Sequence, residues 1–316
     1  MKKGYKVLEG KKALAAFETR EKAIDYINSS NDSSLTIKES KLSKSLIALI
    51  IRTDYTYFYK PMPETWKNFF PVITVNELND MGLHTTTNHT GKMTGMFSWS
   101  TTCKCNLLCQ NKIKASFKTL GIDITDKKSA KDALKEYLKE NPFATNICIC
   151  GFCFSDSQQD TFPSMQDTLM RNYMIFNNGI IDNDWIPVLN NLYFRGESFG
   201  DFNSVNSVIN FYNLANYNRE TGITAWTKNL WFFKDAERAG YNKPENFTLI
   251  YSSPFINKPG TIPESCKHLV DKRFTVYTKE YATKYGIIIN CGARACMSCL
   301  KCYKANNIFD ICELLK

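Results

Sequence analysis

Histidine is scarce in this chain: His84, His89 and His268 are the only three in 316 residues. No H-E-x-x-H zinc helix can be built from them, and the pair flanking Thr-Thr-Thr-Asn reads as loop residues. A G-x-x-x-x-G-K-[ST] phosphate loop and a G-x-S-x-G nucleophile elbow are also missing. That excludes the motif-marked nucleotide hydrolases and serine hydrolases. GARAC, with its single glycine, does not make a dinucleotide fingerprint. The longest apolar run, Leu46 to Ile51, is far too short to cross a bilayer, so no membrane is expected. No apolar stretch follows the two lysines of MKKGYKVLEGKK, so no secretory signal is expected and the chain reads as soluble and intracellular. Internal repeats and low-complexity segments are absent.

The composition is globular. With 43% hydrophobic residues, 21 Phe and 16 Tyr, the chain can bury a sizeable core, which argues against disorder. A net charge of +9 permits contact with a polyanion without requiring it. The local group Lys127, Lys128, Lys131 and Lys135 reads as the solvated face of a helix.

Residues 1–35 read as a small ββα module and linker. Two short strands surround Gly10, Thr19 caps a helix carrying Ala23, Ile24 and Ile27, and SSNDSSLTIKES follows as a linker. Residues 36–316 read as a cysteine-rich α/β domain. Helical spacing in DKKSAKDALKEYLKEN and NSVNSVINFYNLANYN alternates with strand-like KMTGMFSWST, NLYFRGE, GITAWTKN, FTLIYSS, RFTVYTK and GIIINCG. This alternation predicts parallel βα units closing into a partial or complete (β/α) barrel. The predicted strands end in polar residues: Arg195 and Glu197, Thr227 and Lys228, Ser252 and Ser253, Thr278 and Lys279, then Asn290 and Cys291. A shared polar mouth is expected there.

Twelve cysteines in a reducing compartment argue for metal binding over disulfides. Cys266 and Cys312 stand apart and read as plain buried thiols. The others fall into three groups. Cys291, Cys296, Cys299 and Cys302 make C-x4-C-x2-C-x2-C, with no second C-x2-C knuckle downstream. That spacing suits the corners of a [4Fe–4S] cluster better than a single zinc, which remains an alternative. Cys148, Cys150 and Cys153 form a second group in CICGFCF, with Cys150 and Cys153 the more ligand-like pair. Cys103, Cys105 and Cys109 form a third. CNLLC matches the start of the C-x3-C-x2-C motif of radical S-adenosylmethionine enzymes, but Lys112 stands where its third cysteine belongs; Cys150 or Cys153 is the candidate replacement.

STTCKCNLLC, CGFCF, RGESFGDF, AWTKN and the final C-x2-C-x2-C-Y resemble the phage gene product eighty-eight family over about residues 90–303. The family's elements fall on Cys150, Cys153 and Phe154 (Phe where the family has Tyr), on Arg195, Gly200, Asp201 and Phe202, and on Trp226, Thr227 and Lys228. The resemblance implies a cluster-binding barrel of radical-enzyme type in the host bacterial cytoplasm, with no particular reaction attached. On this reading the quartet saturates one cluster. Cys105, Cys109, Cys150 and Cys153 hold a second, more open one. Arg195, Glu197 and Lys228 are the catalytic candidates, and Asp201, Thr227 and Ser252 the cofactor-binding ones. S-adenosylmethionine is a candidate ligand and an electron donor a candidate partner. The rival expectations are a nucleic-acid-binding protein with a structural cluster and a zinc-stabilised interaction module.

Overall fold

The structure is a computed structural model that describes residues 3–17, 19–30, 34–41, 86–87, 91–101, 117–118, 120–121, 127–155, 169, 172–173, 176–177, 179–181, 183, 186–292, 294–304 and 306–315. His84, His89, Cys103, Cys105, Cys109 and Lys112 lie outside the described residues.

The N-terminal module is ββαβ. Strands β1 (Lys3–Glu9) and β2 (Lys12–Phe17) pair antiparallel around Gly10. At φ +57, Gly10 takes the left-handed turn conformation that costs glycine little. Helix α1 (Arg20–Ser30) follows, and then the expected linker forms a third strand, β3 (Leu35–Lys41), on the other side of β1. Polar neighbours hid this strand, but its alternation places Leu35 in a core with Val7, Ala15, Phe17 and Ala23.

The larger sheet has seven strands in sequential order: β4 (Thr86–Thr87), β5 (Phe97–Trp99), β6 (Tyr193–Gly196), β7 (Gly222–Thr227), β8 (Phe247–Ser252), β9 (Lys272–Tyr277) and β10 (Asp310–Leu314). Strands β5 to β10 are parallel, and β4 is antiparallel to β5. The expected α/β class and parallel pairing are present, but among the described residues the sheet is open, with β4 and β10 at its edges. The expected strand GIIINCG is also displaced. Ile287 and Ile289 pack beside Tyr277 and Cys312 while Ile288 is exposed, and the last strand forms after the cysteine quartet instead.

Helix α2 (Lys127–Glu140) ends just before Pro142 and packs with Ile147 and Ile256 in a separate cluster. Two further helices cover one face of the sheet. Helix α3 (Val205–Tyr217) starts where Ser204 Oγ accepts the Ser207 amide at 3.1 Å. It buries Val208, Ile209, Phe211 and Leu214, each contributing about 1.5–3 kcal/mol of hydrophobic stabilisation. With helix α4 (Leu230–Arg238), α3 covers Phe194, Ile223, Ala225, Phe247 and Leu249. Edge-on aromatic contacts fix this layer, including Phe202–Phe233 at 4.7 Å and Tyr212–Phe247 at 5.2 Å. Gly196 lets α3 approach, since a Cβ there would meet Phe211 at 2.9 Å.

The other face is unusually polar for a parallel sheet, whose strands are ordinarily apolar on both sides. Strand alternation and register put Arg195, Thr224, Trp226, Lys272 and Glu313 on it. After helix α5 (Lys279–Lys284) the chain rounds the β10 edge, where the amides of Asn290 and Cys291 both donate to Cys312 O. It then runs across the polar face as residues 291–308, so the quartet roofs that face. Among the described residues, no helix is long and apolar enough to cross a membrane.

Candidate metal centre

The roof is shaped by local backbone features. Gly292, at φ +108, turns the chain directly after Cys291. Cys296 and Cys299 bracket a single helical turn, α6 (Cys296–Cys299), and therefore stand three residues apart on one side. Leu300, in the left-handed region at φ 50, ends the turn and redirects the chain into Cys302. Thr224 Oγ1 anchors it by donating to Cys302 O at 3.2 Å. Tyr303 packs edge-on against Tyr193 and Trp226, with ring centroids 6.1 and 6.0 Å away.

The four thiols are half-buried, are not in disulfides, and feel one another electrostatically. Burial, the largest cause, pushes the thiols of Cys291 and Cys296 upward, and that of Cys302 to about 12; the other cysteines add to the rise at Cys302. Two cations oppose it. Arg195 acts on Cys296 and Cys302. Lys92 Nζ lies 3.9 Å from Cys291 Sγ and 2.5 Å from Glu313 Oε1. Burial works against the charge on Lys92, but Glu313 and the thiols of Cys291 and Cys296 outweigh it and hold its pKa above the ordinary value.

Arg195 is the exceptional group. Its guanidinium lies 4.1 Å over the Trp226 ring, and Nη1 donates to the Met93 sulfur at 3.2 Å. Its Nε is sealed from solvent without a hydrogen-bond partner, and among the described residues no carboxylate pairs with it. The Tyr303 hydroxyl beside it is likewise buried, with the Arg195 guanidinium as its polar neighbour. Lys272, 3% exposed, donates to neutral oxygens, Asn306 Oδ1 at 2.8 Å and Ile308 O at 2.9 Å, and burial lowers its pKa. Lys92 is offset by Glu313, so Arg195 and Lys272 leave the space under the quartet with excess positive charge. Among the described residues, no three His, Cys, Asp or Glu side chains converge closely enough to hold a metal ion. The quartet shares one environment without closing on a single point.

The expected polar mouth forms a second group, at the C-terminal strand ends. Glu197, buried and at φ 50, accepts the Thr101 amide at 3.1 and 3.2 Å and also the Thr101 hydroxyl. Asp201 accepts Thr227 Oγ1 at 2.6 Å and the Lys228 amide at 2.8 Å, and Lys228 Nζ donates to Ser252 Oγ at 3.1 Å. Asp201, Thr227, Lys228 and Ser252 are thus brought together as a set. Arg195 is not among them, because it points to the cysteine face.

Cys150 and Cys153 lie on the strand-end side. Residues 147–150 pair with the loop after β8, through the Ile149 amide to Pro254 O and the Ile256 amide to Ile147 O, both at 2.9 Å. Cys148 and Cys150 sit in an apolar cluster with Phe117, Leu134, Ile147 and Ile256. Their expected companions Cys105 and Cys109 fall outside the described residues. Cys266 and Cys312 are buried, as their isolation in sequence predicts. Lys92, Lys272, Tyr303 and Glu313 were not legible as site residues. The one available signal was Tyr303, which directly follows Cys302, the last cysteine of the quartet.

A family model described as gene product 88 matches residues 107–308. The matched range holds the quartet, Arg195 and the strand-end set, and leaves out Lys92 and Glu313. Neither a curated protein nor a solved structure matches the chain.

Proposed function

We propose that this chain, which belongs to the gene product 88 family of phage proteins, holds an iron–sulfur cluster between its cysteine-rich roof and the polar face of its sheet, with Cys291, Cys296, Cys299 and Cys302 as ligands. The observation that carries this reading is the excess cationic charge beneath four thiols, centred on Arg195 with its solvent-sealed, partnerless Nε. An isolated charge in such a place costs several kcal/mol, on the order of that for breaking a buried pair. A thiolate-ligated cluster is anionic and supplies the missing counter-charge. The C-x2-C-x2-C spacing, without a second C-x2-C knuckle, favours a polynuclear centre over tetrahedral zinc.

When bound, the cluster supplies one-electron transfer. The chain's own residues do the rest. Lys92 and Arg195 favour the thiolate forms, while Trp226 and Tyr303 exclude water from the inner side of the roof. At the strand ends, Asp201 fixes the backbone of Lys228 and so aims its amine beside the Ser252 hydroxyl. Those two donors suit a carboxylate or phosphate of a charged substrate or of S-adenosylmethionine, with Glu197 on the neighbouring strand end. The function is therefore a redox one, fed by an electron donor. Protein purified without oxygen and analysed for iron, sulfide and zinc tests it. Iron and sulfide in equal amounts support the reading, whereas zinc alone contradicts it. Electron paramagnetic resonance of the reduced protein with S-adenosylmethionine then tests the radical-type version, and an unchanged spectrum removes that version while leaving electron transfer.

A further inference from the structure

From Tyr281 to Phe309 the chain contains Lys284, Arg294, Lys301 and Lys304 and no acidic residue. This stretch lines the β10 edge and then forms the roof, so its charge lies along one outer surface. Other exposed cations pair with carboxylates, as Lys135 does with Asp132, Arg238 with Asp235 and Lys267 with Glu264. Among the described residues none of these four does. Lys301 Nζ donates to Asn290 O at 3.0 Å, and Lys304 Nζ stands 5.9 Å over the Tyr193 ring. Asp310 and Glu313, which follow the stretch, are already held by Arg273 and Lys92, while Glu280 precedes it on α5.

Aromatic rings interleave with these cations. Phe143, Tyr281 and Tyr285 form a ladder, with centroids 6.5 and 4.4 Å apart, whose outer members are exposed. Lys284 Nζ stands 4.4 Å over Phe143 and 5.5 Å over Tyr285. At the far end of the same edge the exposed Phe309 ring has the Arg273 guanidinium 5.6 Å away. Ile288, 81% exposed, belongs to the segment between them. The five residues of β10 span about 17 Å, room for several nucleotides. An acidic protein or lipid surface matches the cations but leaves the separate rings unused. A duplex keeps its bases stacked and offers phosphates alone. An unstacked polynucleotide offers phosphates for the cations and base faces for the rings.

We propose that the β10 edge and the outer surface of the roof bind a single-stranded polynucleotide, with Lys284, Arg294 and Lys304 on phosphates and Tyr285 and Phe309 stacking on bases. No cluster is needed for this contact, so iron content and polynucleotide binding are separate readouts.

The test is fluorescence anisotropy of labelled thymidine and uridine oligonucleotides of about 20 nucleotides, longer than the ~4–16 that one single-strand groove covers. Full-length protein is titrated at several salt concentrations, with a duplex of equal length and phosphatidylserine vesicles as comparators. The variants are Lys284→Gln/Arg294→Gln/Lys304→Gln, Tyr285→Leu/Phe309→Leu and, as a control on paired lysines, Lys135→Gln/Lys139→Gln, each checked for folding by circular dichroism. The wild type should bind one or both single strands more tightly than the duplex, and the stronger of the two distinguishes DNA from RNA. The charge variant should lose about tenfold or more in affinity, and its salt dependence should flatten by about 2 in log–log slope, at ~0.7 per phosphate contact. The ring variant should lose about fivefold or more with an unchanged salt slope. The control should bind like the wild type. Equal binding of duplex and single strand with the ring variant unaffected overturns the proposal, as does binding to the vesicles alone or to none of the probes. A wild type that binds the strands without iron contradicts the cluster and leaves this surface standing. An iron-loaded wild type that binds no strand does the reverse.

Discussion

The guanidinium of Arg195 lies 4.1 Å above the ring of Trp226, on the sheet face roofed by the cysteine quartet. The two residues come from adjacent parallel strands, and register, not proximity in sequence, stacks them. Such a contact contributes about 0.5–2 kcal/mol, more when desolvated. Trp226→Leu should therefore lower the stability of the metal-free protein by about 1–2 kcal/mol in urea unfolding and weaken cluster retention. Trp226→Phe should recover part of both. If Trp226→Leu and the wild type have equal unfolding midpoints and equal iron content, the platform is irrelevant.

Gly196 separates the helix side from the cysteine side of β6. A methyl group there meets Phe211 at 2.9 Å in a packed core. Gly196→Ala should cost about 1–3 kcal/mol of stability through overpacking, with iron per folded chain unchanged. Trimming the opposing ring in Gly196→Ala/Phe211→Leu should return part of the loss. Urea denaturation of the three proteins checks this, and additive losses would show that the two residues do not clash.

Much of the larger sheet was legible because its strands alternate with helical periods. Other features were hidden for definable reasons. Arg195 and Glu197 are two residues apart and would share a face on a continuing strand. The strand ends at Gly196, however, and Glu197 turns away at φ 50. The single polar mouth expected from these residues is therefore two separate groups. β10 is hidden in the sequence because DICEL is short and GIIINCG is more apolar, yet the latter forms no strand and rounds the sheet edge, held there by the Asn290 and Cys291 amides on Cys312 O. Alternation of strands and helices does not by itself require closure into a barrel, since an open sheet satisfies it equally. The pairing of Lys92 with Glu313 spans 221 residues and leaves no local trace.

That ion pair ties the segment before β5 to the last strand, beside Cys291. Glu313→Gln leaves a half-buried ammonium without its carboxylate and should destabilise the protein by about 1–3 kcal/mol. Lys92→Met with Glu313→Gln should cost less than the sum of the two single changes. A double-mutant cycle in urea measures the coupling, and a coupling energy of zero would sink the claim that the pair holds the roof's first cysteine.

Alkaline pH should loosen the sheet at β9. Burial, with the Cys312 thiol adding to it, pushes the Tyr277 hydroxyl up to about 12 from an ordinary 10.0. Between those values the folded protein keeps a proton that the unfolded chain has released. Stability is fully present below about pH 10 and falls as pH rises toward 12. Tyr277→Phe should flatten that part of the decline. Melting temperatures taken from about pH 9 to about pH 11 decide it, and identical slopes in the two proteins would contradict it.

The central claim is that the roof of the polar face is a cluster site. The most direct measurement is iron and acid-labile sulfide per chain in anaerobically purified wild type and in Cys296→Ser/Cys299→Ser/Cys302→Ser, with circular dichroism confirming that both are folded. The account predicts a brown wild type in which iron and sulfide occur in equal amounts and a triple variant that loses most of both. Unchanged iron and sulfide in a folded triple variant would contradict it.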